Sequence, residues 1–329
     1  MALLEIKNLV KRFPVKGGFF GKTQGHIHAL QGVDLTVEEG KTLGLVGESG
    51  CGKSTLARCI LRLVQADSGN ILFQGQDLLK LKGKGLRQIR KNFQIIFQDP
   101  YSSLNPRMTV GATLEESWKI QGTVPKLERE QKVTDLLKKV GLPPEAAFKY
   151  PHEFSGGQRQ RIGIARALSL LPQLIVCDEP VSALDVSIQS QILNLLLDLK
   201  EKFSLSYLFI SHDLKVVQHI SDEIAVMYLG RIVEKFPASE LENCKHPYTQ
   251  ALLKALPTLE PKAKFRKGVK VLQGEVPSPM NPPSGCAFHP RCPFAEEICK
   301  QKIPMLEEHG VGHPVACHFA DKIPKVHFG

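Results

Sequence analysis

Nine residues, GESGCGKST at positions 47–55, carry the clearest chemical signal in this sequence. Gly47, four residues, then Gly52-Lys53-Ser54 is the spacing of a loop that holds phosphate. Glycine lets the backbone curl so that its N–H groups face an anion, and a following helix adds the positive end of its dipole. Lys53 can reach the β- and γ-phosphates of a nucleotide, and Ser54 can ligate Mg²⁺. The expected contact set is Gly47, Ser49, Gly50, Cys51, Gly52, Lys53, Ser54 and Thr55. The bland alternative is a glycine-rich turn with no ligand. The strand TLGLV before it and the helix KSTLARCILRLV after it argue against that alternative.

LIVCDEP supplies a second element. A short buried strand delivers Asp178 to its C-terminal end, where a carboxylate can hold Mg²⁺, usually through water. Glu179 follows and can polarise an attacking water; losing such a base costs about 10²–10⁴-fold in rate. Ser155, Gly156, Gly157 and Gln158 open another helix, a second N-terminus suited to an anion. Half of the eight cysteines are Cys286, Cys292, Cys299 and Cys317, separated by 5, 6 and 17 residues. No C-x₂₋₄-C pair of a structural zinc site is present. Spacing alone leaves zinc, an iron–sulfur cluster and unliganded thiols open, with His289, His313 and His318 as further zinc ligands. Cys51, Cys59, Cys177 and Cys244 have no ligand-like spacing and read as small apolar fillers.

These residues need elements to place them. LLEIKNLVKRF alternates as a strand, VDLTVEEGKTLGLVG reads as two strands about a turn at Glu39-Gly40, and GNILFQGQDL and FQIIFQDP read as further strands. QLIVCDEP and SYLFISHD are short buried strands, each after a helical segment. Strands alternating with helices predict an α/β fold with a largely parallel sheet. Residues 99–170 read as a helical insert, a subdomain within a phosphate-binding domain spanning 1–255. The Pro-, Gly- and charge-rich stretches after 255 predict a small loop-rich module over 256–329 that carries the four cysteines.

The 329 residues suffice for a large domain with an appendage, and 42% apolar with 23% charged residues is ordinary for a folded chain. No apolar run approaches the roughly 20 residues of a spanning helix. MALLEIKNLVKRF lacks the pattern of a secretory leader, so a cytosolic chain without stable disulfides is expected. The formal charge of +10 permits nucleic acid, an anionic membrane or phosphate ligands. KLKGKGLRQIRK holds six basic residues and no acid, but such runs are usually solvated faces and aromatic residues are not interleaved with it.

The motifs in this order resemble those of ABC-type ATPases. Ser155–Gln158 in EFSGGQRQR is similar to their signature motif, Gln98 in IIFQDP to the Q-loop, SALD with Asp185 to the D-loop, and His212 in FISHD to the switch histidine. A lone histidine after a strand is otherwise more often a surface residue; the resemblance promotes His212. Phe13 in KRFPV stands where these ATPases stack an aromatic ring on adenine. The resemblance implies ATP and Mg²⁺ as ligands, with Ser54, Gln98 and Asp178 toward the metal and Glu179 and His212 as the catalytic pair. It also implies a head-to-tail pair of cassettes, with each ATP between one subunit's phosphate loop and the other's signature motif.

QDPYSSLNPRMTV, HPYTQALLKALP and GEVPSPMNPPSGCAFHPRC narrow the resemblance to ATPase subunits of bacterial dipeptide and oligopeptide importers, and FPVKGGFFGKTQGHIHALQGVDL to the second ATPase of the pair. That branch implies a heterodimer with another ATPase, two membrane permease subunits, an extracytoplasmic binding protein, no nucleic acid, and a peripheral place on the cytoplasmic face of the membrane. It also implies a [4Fe–4S] cluster on the tail cysteines, with Zn²⁺ as the alternative. Related importers for nickel, glutathione or another small solute are the neighbouring reading. A soluble ABC protein acting on DNA or ribosomes is a third, set back by the single cassette.

Overall fold

The computed structural model describes residues 1–17, 22–255 and 274–324. Alternating apolar positions open the chain as β1 (Ala2–Gly17), which pairs antiparallel with β2 (Lys22–Glu38). A turn at Glu39-Gly40, with Gly40 in the left-handed region, leads into β3 (Thr42–Val46) and then α1 (Lys53–Ile60). GNILFQGQDL is not one strand but a hairpin, β4 (Ser68–Phe73) and β5 (Gln76–Asp77). Gln74 and Gly75 both have positive φ, the two-residue turn whose twist matches paired strands. These elements form a four-stranded sheet in the order β2-β1-β4-β5.

α2 (Gly83–Ile89) and β6 (Phe93–Ile96) follow. From there to β7 (Leu174–Asp178) the described elements are helical: α3 (Pro100–Ser103), α4 (Val110–Gln121), α5 (Arg129–Lys139) and α6 (Gly156–Leu168), with short 3₁₀ turns. Thr109 caps α4 by accepting the Ala112 N–H, and Gly122 ends it in the left-handed region. Trp118 is buried and donates its indole N–H to the Ser169 carbonyl at 2.8 Å, tying α4 to the end of α6. The chain continues through α7 (Val186–Phe203), β8 (Ser206–Ser211), α8 (Leu214–Ile220), β9 (Glu223–Tyr228), β10 (Arg231–Pro237), α9 (Pro247–Lys254), α10 (Glu297–Gln301), β11 (Glu307–Glu308) and β12 (Pro314–Val315).

The second sheet has the order β11-β12-β10-β9-β3-β8-β7-β6, and its central run from β9 to β6 is parallel. Every residue of β3, β7 and β8 is buried. Alternation sends Val46, Ile175, Cys177 and Phe209 to one apolar core, shared with α4 to α7, and Leu45, Val176, Leu208 and Ile210 to another, shared with α1 and the first sheet. Burial on both faces is why these strands read as continuous apolar runs.

The tail rides on the edge of this sheet. Val315 pairs with Glu234 of β10, and the Ala316 N–H donates to the Val233 carbonyl at 2.8 Å. Phe288 joins the larger core, with Cys286 and Cys292 packed against it. The composition change near 255 adjoins residues 256–273, which lie outside the described residues, as do 18–21 and 325–329. Among the described residues no helix is long and apolar enough to cross a membrane.

Candidate active site

β3 lies inside the parallel run between β9 and β8, and the loop Gly47–Gly52 leaves its C-terminal end, where open α/β sheets bind ligands. Two glycines there have no substitute. A Cβ on Gly47 would overlap the Met227 carbonyl, and one on Gly52 the Ala29 carbonyl, because β9 and β2 press on the loop. Gly52 also stands at φ 113° as the residue before α1. Ser49 and Gly50 are exposed at the tip, and Cys51 is buried, its thiol pushed up by burial. Lys53 is buried, and its Nζ donates to the Gly47 carbonyl at 2.7 Å and the Glu48 carbonyl at 3.1 Å. Thr55 is half-buried in the first turn of α1.

Ser54 and Asp178 meet across the sheet: Ser54 Oγ donates to Asp178 Oδ1 at 2.9 Å. Asp178 is 6% exposed, and burial raises its pKa, partly offset by the Ser54 bond. A carboxylate in so dry a place, with one hydroxyl as its side-chain partner, gains from a cation. The donor set of Ser54, Asp178 and Gln98 is oxygen-rich and fits Mg²⁺.

Glu179 follows β7 in the left-handed region at φ 48°, unusual for a non-glycine. Its N–H still donates to the Ile210 carbonyl at 3.0 Å, so the backbone is pinned while the side chain is turned out. Gln98 Nε2 donates to Glu179 Oε2 at 3.1 Å, and His212 Nδ1 lies 3.2 Å from the same oxygen. Two residues far apart in sequence thus converge on the carboxylate of a third, one step from Asp178.

Other expected residues stand apart from this cluster. Ser155 caps α6 in a capping box: its Oγ accepts the Gln158 N–H at 3.4 Å, and Gln158 Oε1 accepts the Ser155 N–H at 3.0 Å. Both side chains are exposed, and Gly156 and Gly157 are half-buried; a Cβ on Gly157 would press on Ile188 of α7. Among the described residues no hydrogen bond joins Ser155–Gln158 to Gly47–Thr55. Asp185 is exposed at the start of α7. Phe13 sits on β1 opposite Ile27, two residues from Ala29, with the Lys11 ammonium 5.1 Å from its ring.

The model of the ABC transporter family matches residues 30–182, and that of the oligopeptide/dipeptide transporter C-terminal region matches 233–299. The oligopeptide transport ATP-binding protein AppF of Bacillus subtilis (strain 168) is 52% identical, covering 96% of this chain and 97% of its own. This chain belongs to the ABC transporter family. The dipeptide transport ATP-binding protein DppF of Haemophilus influenzae is 50% identical, covering 97% of each chain. A solved dimeric structure of the ATP-binding cassette MJ0796, in a post-hydrolysis state with ADP and Pi, matches with TM-score 0.63 and 28% identity, covering 71% of this chain and 98% of that one. This ABC chain therefore carries more than a cassette.

The addition includes the tail cysteines. Cys286, Cys292, Cys299 and Cys317 line one small cavity together with aromatic side chains. Burial pushes the Cys292 thiol up to about 11 and that of Cys317 up to about 12. The N–H groups of Phe288, Phe294 and Phe319 point at the sulfurs of Cys286, Cys292 and Cys317, each from two residues on, and favour the thiolate. A C-x-F repeat (CAF, CPF, CHF) marks these turns and is the sequence signal that spacing between cysteines misses. As placed, no three His, Cys, Asp or Glu side chains among the described residues could hold a metal ion. His313 does not line the cavity; it is buried 2.9 Å from Glu234 Oε1. His289 and His318 do line it, each with one ring nitrogen 3.0 Å from a backbone carbonyl.

Proposed function

We propose that this chain is the ATP-hydrolysing subunit that drives import of di- or oligopeptides through a membrane permease. The observation that carries the hydrolytic reading is the meeting of Gln98 and His212 at Glu179 Oε2, beside the Ser54–Asp178 pair. The peptide branch rests on near-full-length identity of about 50% to peptide-transport ATP-binding proteins and on the matching C-terminal region.

The residues divide the work as follows. Backbone N–H groups from Gly47 to Thr55 wrap the phosphates, and Lys53 exchanges its loop carbonyls for phosphate oxygens. Phe13 stacks on the base. Ser54, Asp178 and Gln98 would hold Mg²⁺, which would supply positive charge against the phosphates. Glu179 takes the proton of the attacking water, and His212 orients that carboxylate and reaches the γ-phosphate. Exposed Ser155–Gln158 serve a nucleotide on a second cassette, and Asp185 lies toward the same partner. That partner is a second, different ATPase subunit; two permease subunits and an extracytoplasmic binding protein complete the importer, with this chain peripheral on the cytoplasmic face. Nucleic acid has no part in it.

We divide the chain functionally into an ATPase domain to about 255, with 99–170 as its helical subdomain, and the cysteine-bearing tail. Four thiols around one cavity, three of them receiving N–H groups, suit a four-thiolate [4Fe–4S] group better than a lone Zn²⁺, which needs all sulfurs within about 2.3 Å of one point. Cys286, Cys292, Cys299 and Cys317 would hold it, and it would brace a loop-built region.

Glu179→Gln tests the hydrolytic reading in the assembled transporter. ATP binding persists while turnover falls about 10²–10⁴-fold; a normal rate removes Glu179 as the base. Uptake of labelled dipeptide, nickel and glutathione by the reconstituted importer separates the branches.

A further inference from the structure

Glu48 is the one acid in the stretch 47–55, and it is held from three sides. Its N–H donates to the Tyr248 hydroxyl at 2.8 Å, and its carbonyl accepts Lys53 Nζ. Its carboxylate is forked by Arg291, with Nη1 to Oε2 at 2.7 Å and Nη2 to Oε1 at 3.0 Å. The Arg291 side chain is only 5% exposed. It closes the short turn His289–Arg291, directly before Cys292, and its guanidinium lies 6.0 Å from the ring centres of both Tyr228 and Phe288. Tyr228, Tyr248 and Phe288 pack on one another with centroids 4.7–5.4 Å apart. The turn between two cavity cysteines is thus bolted to the phosphate-binding loop, across 243 residues of sequence.

A carboxylate inside a loop that must accept a triphosphate is adverse by itself, since like charges repel at short range. A bidentate guanidinium neutralises it and fixes its direction; the Arg291 side of the pair is buried while the Glu48 side chain is 24% exposed. We propose that Arg291 is a positioning residue of the nucleotide site: it neutralises Glu48 and ties the four-cysteine turn to the loop that grips the phosphates. Tyr248 is its companion, holding the backbone of the same residue. Nucleotide affinity then depends on the tail turn being in place.

This inference rests on the reading of Gly47–Thr55 as the phosphate loop, and Lys53→Ala tests that reading separately through loss of ATP binding. The test proper uses the full-length protein and titrates a fluorescent ATP analogue. Arg291→Gln leaves Glu48 uncompensated, and the dissociation constant rises about tenfold or more at low salt and less at high salt. Glu48→Gln in the Arg291→Gln background restores most of that loss, because the repelling charge is gone. Should Arg291→Gln fail to fold, Arg291→Lys keeps the charge without the fork and gives an intermediate loss, again relieved by Glu48→Gln. Wild-type affinity in the Arg291 variants, or a loss that Glu48→Gln deepens, overturns the proposal. A merely structural role would show the loss and its relief in the melting temperature, because an unpaired buried charge also destabilises the fold, and would not give a salt-dependent loss of affinity at unchanged melting temperature.

Discussion

The nucleotide site and the four-cysteine cavity are built by opposite means. In the first, neighbouring strands end at one level: Ile96 pairs with Cys177, Asp178 with Ile210, and Val46 with Ser211. Gln98, Glu179, His212 and the phosphate loop follow those ends by one or two residues, so the backbone ladder alone brings them together. In the second, two thiols flank a 3₁₀ turn, one lies in a five-residue helix and one in the segment after a two-residue strand. Only Cys317 follows a ladder, two residues after Val315, while a single backbone bond, the Cys286 N–H to the Cys299 carbonyl at 2.8 Å, joins two of the others. The rest of their placement comes from packing against Phe288 and its aromatic neighbours. Sheet-built sites tolerate changes beside them; a loop-built site stands or falls with its own side chains.

The sharpest break of this contrast is at Gly52. Gly52→Val puts a branched side chain against the Ala29 carbonyl at φ 113°, and nucleotide binding is abolished with a loss of stability above about 2 kcal/mol. Equilibrium binding and urea unfolding read both. Next are the thiols. On the proposed cluster reading, Cys299→Ser, at a buried cavity position, is expected to lower the iron content of the purified protein and to lower the melting temperature as far as any of the other three single changes. Iron and sulfide assays on anaerobically purified protein check this; four unequal, additive effects would mean four independent thiols.

A smaller effect is a pH slope at the seam of the two regions. Burial holds His246 neutral, its pKa pushed down from 6.5 to about 4. The unfolded chain takes up that proton below pH 6.5 and the native chain does not, so stability falls as pH drops from about 6.5 toward 4. The loss is about 2 kcal/mol by pH 5. His246→Gln should flatten that part of the curve in urea melts at pH 5 and 7.5. The smallest effect is at Phe13. Phe13→Ala is expected to raise the ATP dissociation constant roughly 2–10-fold, equivalent to about 0.5–1.5 kcal/mol of ring stacking, with the melting temperature little changed.

The same contrast governs what could be read in advance. Gly47, Lys53, Asp178 and Glu179 announce themselves because a buried strand and a fixed step beyond its end are visible in sequence. The hairpin of β4 and β5 was hidden because Gln74-Gly75 is a weaker turn signal than Asn-Gly, so ten residues read as one strand. β9 and β10 precede a region of mixed composition, and β12 is too short to show any period. The convergence of Gln98 and His212 on one oxygen of Glu179 is a matter of strand order, which local patterns do not encode. Glu48 and Arg291 leave no trace at all: a glutamate in a glycine loop and an arginine beside a cysteine become informative only when they are seen to face each other.

The seating of the tail on β10 has a consequence for how the protein can be shortened. A single Glu234–Val315 pair and one bond to Val233 are enough to cover that strand. A fragment ending near residue 255 would keep every strand of the parallel sheet and bare the backbone at Val233 and Glu234. An uncovered strand of this kind is a template for another chain. Such a fragment would be limited first by its solubility, precipitating through sheet-to-sheet pairing before its enzymology could be measured.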